Sequence, residues 1–127
     1  MANPKKLDEL PSQENVIKFD MLFPMLQSDL NEIRELSKKK QDEPLNKFKV
    51  KTINKKLEQV KAILDKEPTN EYLELLDEDT FPSNSDAVLM ISQFMKAMEQ
   101  FKQKFYRRID SYTFQWLTVE NPELKKR

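Results

Sequence analysis

The sequence predicts an all-α fold: a small helical bundle of three long helices plus one short helix, with a long central C-terminal helix. Three observations carry that expectation. The 127 residues include no glycine, the residue that supplies positive φ in the tight turns of sheet-rich folds. Apolar residues recur at steps of three and four along most of the chain. Pro24, Pro44, Pro68, Pro82 and Pro122 fall at the borders of these runs, where helices start or stop.

Residues 1–18 are polar, carry Pro4 and Pro11 and show no sustained period, so a loose N-terminal arm is expected there. Val16, Ile17 and Phe19 are its points of attachment to the body. The first helix is expected to begin near Phe23–Pro24 with Asp20 as its cap, because proline suits a first helical turn. Leu22, Leu26, Leu30, Ile33 and Leu36 line one face, and Lys38, Lys39 and Lys40 end it at the negative pole of the helix dipole. The second helix follows Pro44, with Leu45, Phe48, Ile53, Leu57, Val60 and Leu64 as its stripe. The run FKVKTI alternates like a strand, but no second strand signal answers it. Pro68 ends the segment. Thr69 or Asn70 then caps a short helix bearing Tyr72, Leu73, Leu75 and Leu76. Pro82 and the Ser83–Asn84–Ser85 cluster make a turn, and Ser83 with Asp86 three residues on makes a capping arrangement.

The last helix is expected to run unbroken from about Asp86 to Leu117. Ala87, Ile91, Phe94, Met98, Phe101, Phe105, Ile109, Tyr112 and Trp116 recur at steps of four and three. Val88, Met95, Tyr106 and Leu117 form a second apolar line about a third of a turn away. Two lines suit a helix lying between two partners, so this one is the expected pillar of the bundle. The domain organisation is therefore an arm over 1–18, a single helical domain over 19–119 and a short basic tail over 120–127.

Composition excludes several functions. With no cysteine there are no disulfides, thiol nucleophiles or sulfur-ligated zinc. With no histidine the usual general base and the commonest metal ligand are missing. With no glycine there is no phosphate-cradling loop, dinucleotide fingerprint or nucleophile elbow. A non-catalytic protein without cofactor or small-molecule substrate is expected. No apolar run approaches the roughly 20 residues that span a bilayer, so no membrane association is expected. The first twenty residues have no apolar core behind their lysines and do not resemble a secretory signal, which points to the cytoplasm.

The net charge of zero conceals segregation: residues 1–36 carry −3, 37–66 carry +6, 67–86 carry −7 and 87–127 carry +4. The acidic connector is expected to fold back near basic helix faces. The lysine-rich stretch offers a second use. Lys38, Lys39, Lys40, Lys47, Lys51 and Lys55, with Lys49 and Lys56 beside them, form a candidate phosphate-contacting surface for nucleic acid. In a helix, Lys47, Lys51 and Lys55 share a face that Lys49 and Lys56 do not.

Two acidic pairs have helical spacing: Glu32 with Glu35, and Glu74 with Asp77, the latter following Glu71. Facing each other across a bundle, they would present oxygen ligands to Mg²⁺. The order Glu-x-x-Glu then Glu-x-x-Asp resembles the metal site of the all-helical nucleotide pyrophosphohydrolases, and the resemblance implies a Mg²⁺-dependent hydrolase. The chain departs from that pattern in having Asn31 before Glu32 and a whole helix between the halves.

Near the C-terminal end, Phe114 falls on the polar side of the expected helix, and Trp116 sits near its terminus beside Leu117. With Tyr106 they form a candidate partner-binding patch, since aromatic residues are enriched in interface cores. The function expected first is a protein–protein interaction module, a small subunit or adaptor, self-associating through the C-terminal helix. A nucleic-acid-binding accessory protein comes second and the pyrophosphohydrolase third.

Overall fold

A computed structural model of the chain describes residues 9–125. Three helices supply most of its secondary structure: α1 (Gln13–Lys39), α2 (Lys47–Ile63) and α3 (Asn84–Phe105). A 3-10 turn over Pro68–Tyr72 and a hairpin of β1 (Tyr106–Arg108) and β2 (Phe114–Trp116) complete it. The chain is thus mostly helical, as its composition predicts.

Helix α1 starts well before Pro24. The Ser12 Oγ accepts the Asn15 N–H at 3.1 Å, Glu14 lies in the first turn, and Lys38 and Lys39 close the last. Pro24 lies inside the helix, on its exposed side. The carbonyl of Asp20, which loses its helical partner to the proline ring, belongs to an exposed residue that water reaches. The expected loose arm is corrected accordingly. Leu10, Pro11 and Val16 are buried, and residues 13–18 of that expected arm are already helical, about 9 Å of rod. Residues 1–8 of that arm, and 126–127 of the basic tail, lie outside the described residues.

The two loops at one end of the bundle fasten each other. Asn84 N–H donates to the Glu43 carbonyl at 2.8 Å, Asn84 Nδ2 to Lys40 at 2.9 Å, and Leu45 N–H to Pro82 at 2.9 Å. Because α3 starts beside the end of α1 and its Phe101 packs on Phe19, α1 and α3 run antiparallel. The Lys56–Asp29 contact sets α2 antiparallel to α1 as well. Asn46 caps α2, its Oδ1 accepting the Lys49 N–H at 2.8 Å. Buried Phe19, Leu26, Val50, Leu57, Leu64, Ile91, Phe94 and Met98 form one continuous core.

The expected short helix is a single 3-10 turn followed by extended chain. Asn70 Nδ2 donates to the Lys61 and Leu64 carbonyls, at 2.9 and 3.1 Å, and so closes the end of α2. The chain then returns along α2. Lys61 Nζ reaches the Leu73 carbonyl at 2.6 Å, and the buried Asn54 amide pairs with both the N–H and the C=O of Leu76 at 2.9 and 2.8 Å. Leu73 and Leu76 are buried while Tyr72 is exposed. The acidic connector does fold back on α2, where side chains of α2 bind its backbone, while its Glu67 pairs with Lys104 of α3.

The largest correction concerns the C-terminal segment. Helix α3 ends at Phe105, and residues 106–116 form an antiparallel hairpin with Tyr106 opposite Trp116, Arg107 opposite Gln115 and Arg108 opposite Phe114. A straight helix would carry Trp116 about 16 Å beyond Phe105, past the end of the core. Folding back returns Trp116 to Phe19 and Phe101, with ring centroids at 5.3 and 6.1 Å. The turn needs no glycine, because the Asp110 carboxylate accepts the N–H groups of Tyr112 and Thr113, both at 2.9 Å.

Candidate interaction surface

The hairpin carries a line of aromatic rings from the core to the surface. Phe19 stacks on Phe101 at 5.3 Å, Trp116 meets Phe19 edge-on at 5.3 Å, Tyr106 lies 5.1 Å from Trp116, and Phe114 stacks on Tyr106 at 5.2 Å. Strand pleating causes this: Tyr106, Arg108, Phe114 and Trp116 share one face, and Arg107 and Gln115 take the other. Exposure rises along the line. Phe19 is buried, Trp116 and Tyr106 are half-buried, and Phe114 is 46% exposed. Cations flank the outer rings, with Lys102 Nζ 5.0 Å from the Tyr106 centroid and the Arg108 guanidinium 5.7 Å from that of Phe114.

All four residues of the expected aromatic patch thus fall on or next to the hairpin. Phe114 is the exposed one, while Tyr106, Trp116 and Leu117 are half-buried. Tyr112, at the turn, is 94% exposed and is the addition that a helical reading assigns to the core. Val119 and Leu124 are exposed just beyond. On α1, Ile17, Met21 and Met25 are also exposed, one turn apart on the side turned away from the core. The two segments meet directly: Val119 N–H donates to Pro11 at 2.9 Å, and Gln13 N–H donates to the Glu120 carboxylate at 3.1 Å. Tyr112, Phe114, Val119 and Leu124 thus place four exposed apolar side chains on the hairpin and the segment that follows it.

The reason to expect a dimer through the C-terminal helix is absent. Met95, on its second apolar line, is buried within the chain and Val88 is half-buried, so α3 keeps no bare second face.

The lysines divide. Lys38 pairs with Glu35 at 3.0 Å, Lys40 with Glu43 at 3.5 Å and Lys56 with Asp29 at 2.7 Å. Lys104 contacts Glu67 at 3.3 Å and Glu9 at 3.9 Å. Lys39, Lys47, Lys51 and Lys55 are exposed and have no ion-pair partner among the described residues. Phe48, expected in the core stripe of α2, is instead 78% exposed on this lysine-rich side.

The acidic pairs do not converge. Glu35 is engaged by Lys38. Asp77 accepts the N–H groups of Asp79 and Thr80, and these backbone donors, Thr80 foremost, hold its carboxyl below the usual range. Among the described residues no group of three or more acidic side chains is placed to hold a metal ion. Asp110 is likewise lowered, first by the Tyr112 N–H. Both are turn-forming carboxylates. No helix among the described residues is long and apolar enough to cross a membrane.

No family model matches this chain, no curated protein matches its sequence, and no solved structure matches its fold.

Proposed function

We propose that the protein is a non-catalytic interaction module that meets a protein partner through its hairpin end. The observation that supports this most is the set of exposed apolar side chains on the hairpin and just after it, Tyr112, Phe114, Val119 and Leu124. Scattered exposed apolar residues are ordinary, whereas a contiguous group marks an interaction site. Half-exposed rings flanked by arginine and lysine match the make-up of interface cores, which favour Tyr, Trp, Phe and Arg.

A photo-cross-linking residue placed at Tyr112 tests this, with one at Leu89, an exposed apolar site on the first half of α3, as the control. In cells of the native host, Tyr112 should give discrete protein adducts and Leu89 none. Equal labelling from both positions would remove the hairpin end as the partner surface.

Lys47, Lys51 and Lys55 support a second proposal, nucleic-acid binding along α2. They repeat every fourth residue, about 6 Å apart along the axis, and the exposed Phe48 ring beside them is available for stacking on a base. Against it, the acidic return segment runs along the same helix and lowers the local positive potential. Binding of a labelled single-stranded oligonucleotide at low salt that weakens steeply with added salt would favour it. No binding at low salt would end it.

A further inference from the structure

The hydrogen bonds of the hairpin leave one side of β2 open. Ile109 N–H donates to the Thr113 carbonyl at 2.8 Å and Leu117 N–H to Phe105 at 2.7 Å. By the alternation of an antiparallel ladder, Arg107 and Gln115 then face inward to each other. The main-chain N–H and C=O groups of Phe114 and Trp116 point to the outer edge. Among the described residues, no group outside the ladder bonds to any of these four. Among the described residues, the C-terminal segment makes no hydrogen bond to them. It crosses the face of the sheet, where Gln115 Nε2 donates to the Glu123 carbonyl at 2.9 Å and Gln115 Oε1 accepts the Lys125 N–H at 3.0 Å.

Natural edge strands are protected by charge, proline or a bulge. The run Thr113–Phe114–Gln115–Trp116–Leu117–Thr118 contains neither a charged residue nor a proline. The other edge is different, since Arg107 and Arg108 lie on β1 and the Tyr106 N–H is bonded to Lys102 at the helix end. Only one edge is therefore both open and uncharged.

We propose that β2 pairs edge to edge with β2 of a second copy of this chain, antiparallel, about a two-fold axis beside Gln115; this rests on the reading of the hairpin end as the partner surface. In that register Phe114 of each copy lies opposite Trp116 of the other. Each such pair exchanges both of its outward N–H and C=O groups, giving a four-stranded sheet across the axis. A second copy is the occupant that suits the charges. The strand offers a charged peptide no counter-charge, while two uncharged strands meet without repulsion and the chain's net charge of zero adds none at long range. Phe114 against Trp116 is an aromatic cross-strand pair, the kind that stabilises sheets. Three residues bury far less than the roughly 1,200 Å² of a stable interface, so the pairing is weak and depends on concentration.

Sedimentation and amide exchange on the intact chain test the proposal. The mass should rise from 15.2 kDa towards twice that value as the protein is concentrated, with the midpoint between about 10 μM and 1 mM. Over the same range the Phe114 and Trp116 amides should become protected, while the Ile109 amide, bonded within the hairpin, stays protected throughout. Phe114→Pro removes an outward N–H together with the ring stacked on Tyr106; no ladder hydrogen bond within one copy is lost, and dimerisation is. Phe114→Lys places a charge on the edge and should give the same loss without the backbone change, with far-UV circular dichroism reporting that both variants stay folded. A chain that remains at 15.2 kDa up to about 1 mM overturns the pairing, as does a dimer in which both edge amides exchange as fast as in dilute protein. Hetero-adducts at Tyr112 from a strictly monomeric chain would overturn the self-pairing and leave the surface assignment standing. A monomer without such adducts removes both.

Discussion

Phe19 in α1 and Trp116 in β2 meet edge to face, with ring centroids 5.3 Å apart and planes at 69°. This contact ties the last strand to the first helix. Phe19 is almost wholly enclosed and also stacks on Phe101, whereas Trp116 keeps one side towards solvent. Phe19→Ala should therefore destabilise the protein by about 3–5 kcal/mol, the range for emptying a buried aromatic site. Trp116→Ala should cost less, about 2 kcal/mol, because part of the ring is already hydrated. In a urea double-mutant cycle the two should be coupled by about 0.5–1.5 kcal/mol. Strict additivity would mean that the hairpin does not dock on α1.

The buried Asn54 amide makes a two-way bond with the backbone of Leu76, accepting its N–H at 2.9 Å and donating to its C=O at 2.8 Å. It is one of few polar side chains in the core. Asn54→Leu keeps the branched outline but strands both backbone groups away from water, so it should cost about 2–4 kcal/mol although it adds apolar surface. Hydrogen exchange at Leu76 should speed up before the helices loosen, since the segment loses its central tie. An unchanged urea midpoint would show that the segment is held by Leu73 and Leu76 packing alone.

The core stripes were legible in the sequence because burial imposes a helical period that side chains cannot hide. Leu26, Leu30, Ile33, Leu57, Val60, Ile91, Phe94 and Met98 fall where their spacing puts them. The cap at Ser83 was legible because it is a local chemical signal, whereas α2 ends at Ile63, five residues before the expected stop at Pro68, which opens the 3-10 turn instead. The hairpin was not, because β1 and β2 have three residues each, too few for alternation to register. Both α3 and the hairpin serve one core, so Phe101, Phe105 and Trp116 keep helix-like steps across the break. The turn is made by Asp110 and not by glycine, which hid it further. Pro24 misled in the opposite direction, since a proline suits a first turn but is tolerated on the wet side of a helix that Ser12 starts earlier.

Asp77 and Asp110 share a pH consequence. Each has its folded pKa below the ordinary value of 3.8, through backbone N–H donors that favour the charged form. As pH falls, the unfolded chain binds these protons first. Their stabilising contribution is therefore fully present above the unfolded value and is lost as pH drops below about 4 towards the folded one. Urea midpoints should fall with acid in that window. Asp110→Asn keeps a side-chain oxygen for the Tyr112 and Thr113 N–H groups but does not titrate, so its midpoint should fall less steeply below pH 4 than the wild type's. Parallel curves would show that the turn carboxylate does not contribute to acid sensitivity.

Lys56 Nζ lies 2.7 Å from Asp29 Oδ2, and the two side chains are only 15% and 22% exposed. Of the ion pairs among the described residues this is the one most withdrawn from water on both sides, so its loss should not follow the rule for surface pairs. Lys56→Ala leaves a half-buried carboxylate without its cation and should cost about 1–3 kcal/mol, between the surface and fully buried cases. Removing both charges with Lys56→Met and Asp29→Asn should cost less than Lys56→Ala alone, because neither group is then left uncompensated in the groove between α1 and α2. Lys38→Ala is the comparison: its partner Glu35 and Lys38 itself are both about two-thirds exposed or more, and the change should stay within about 0.5 kcal/mol. Thermal unfolding in low and high salt separates the two sites, since salt should leave the Lys56 effect largely intact and erase that of Lys38. Equal costs at both positions would mean that water reaches Asp29 as freely as Glu35, and that packing alone holds α2 against α1.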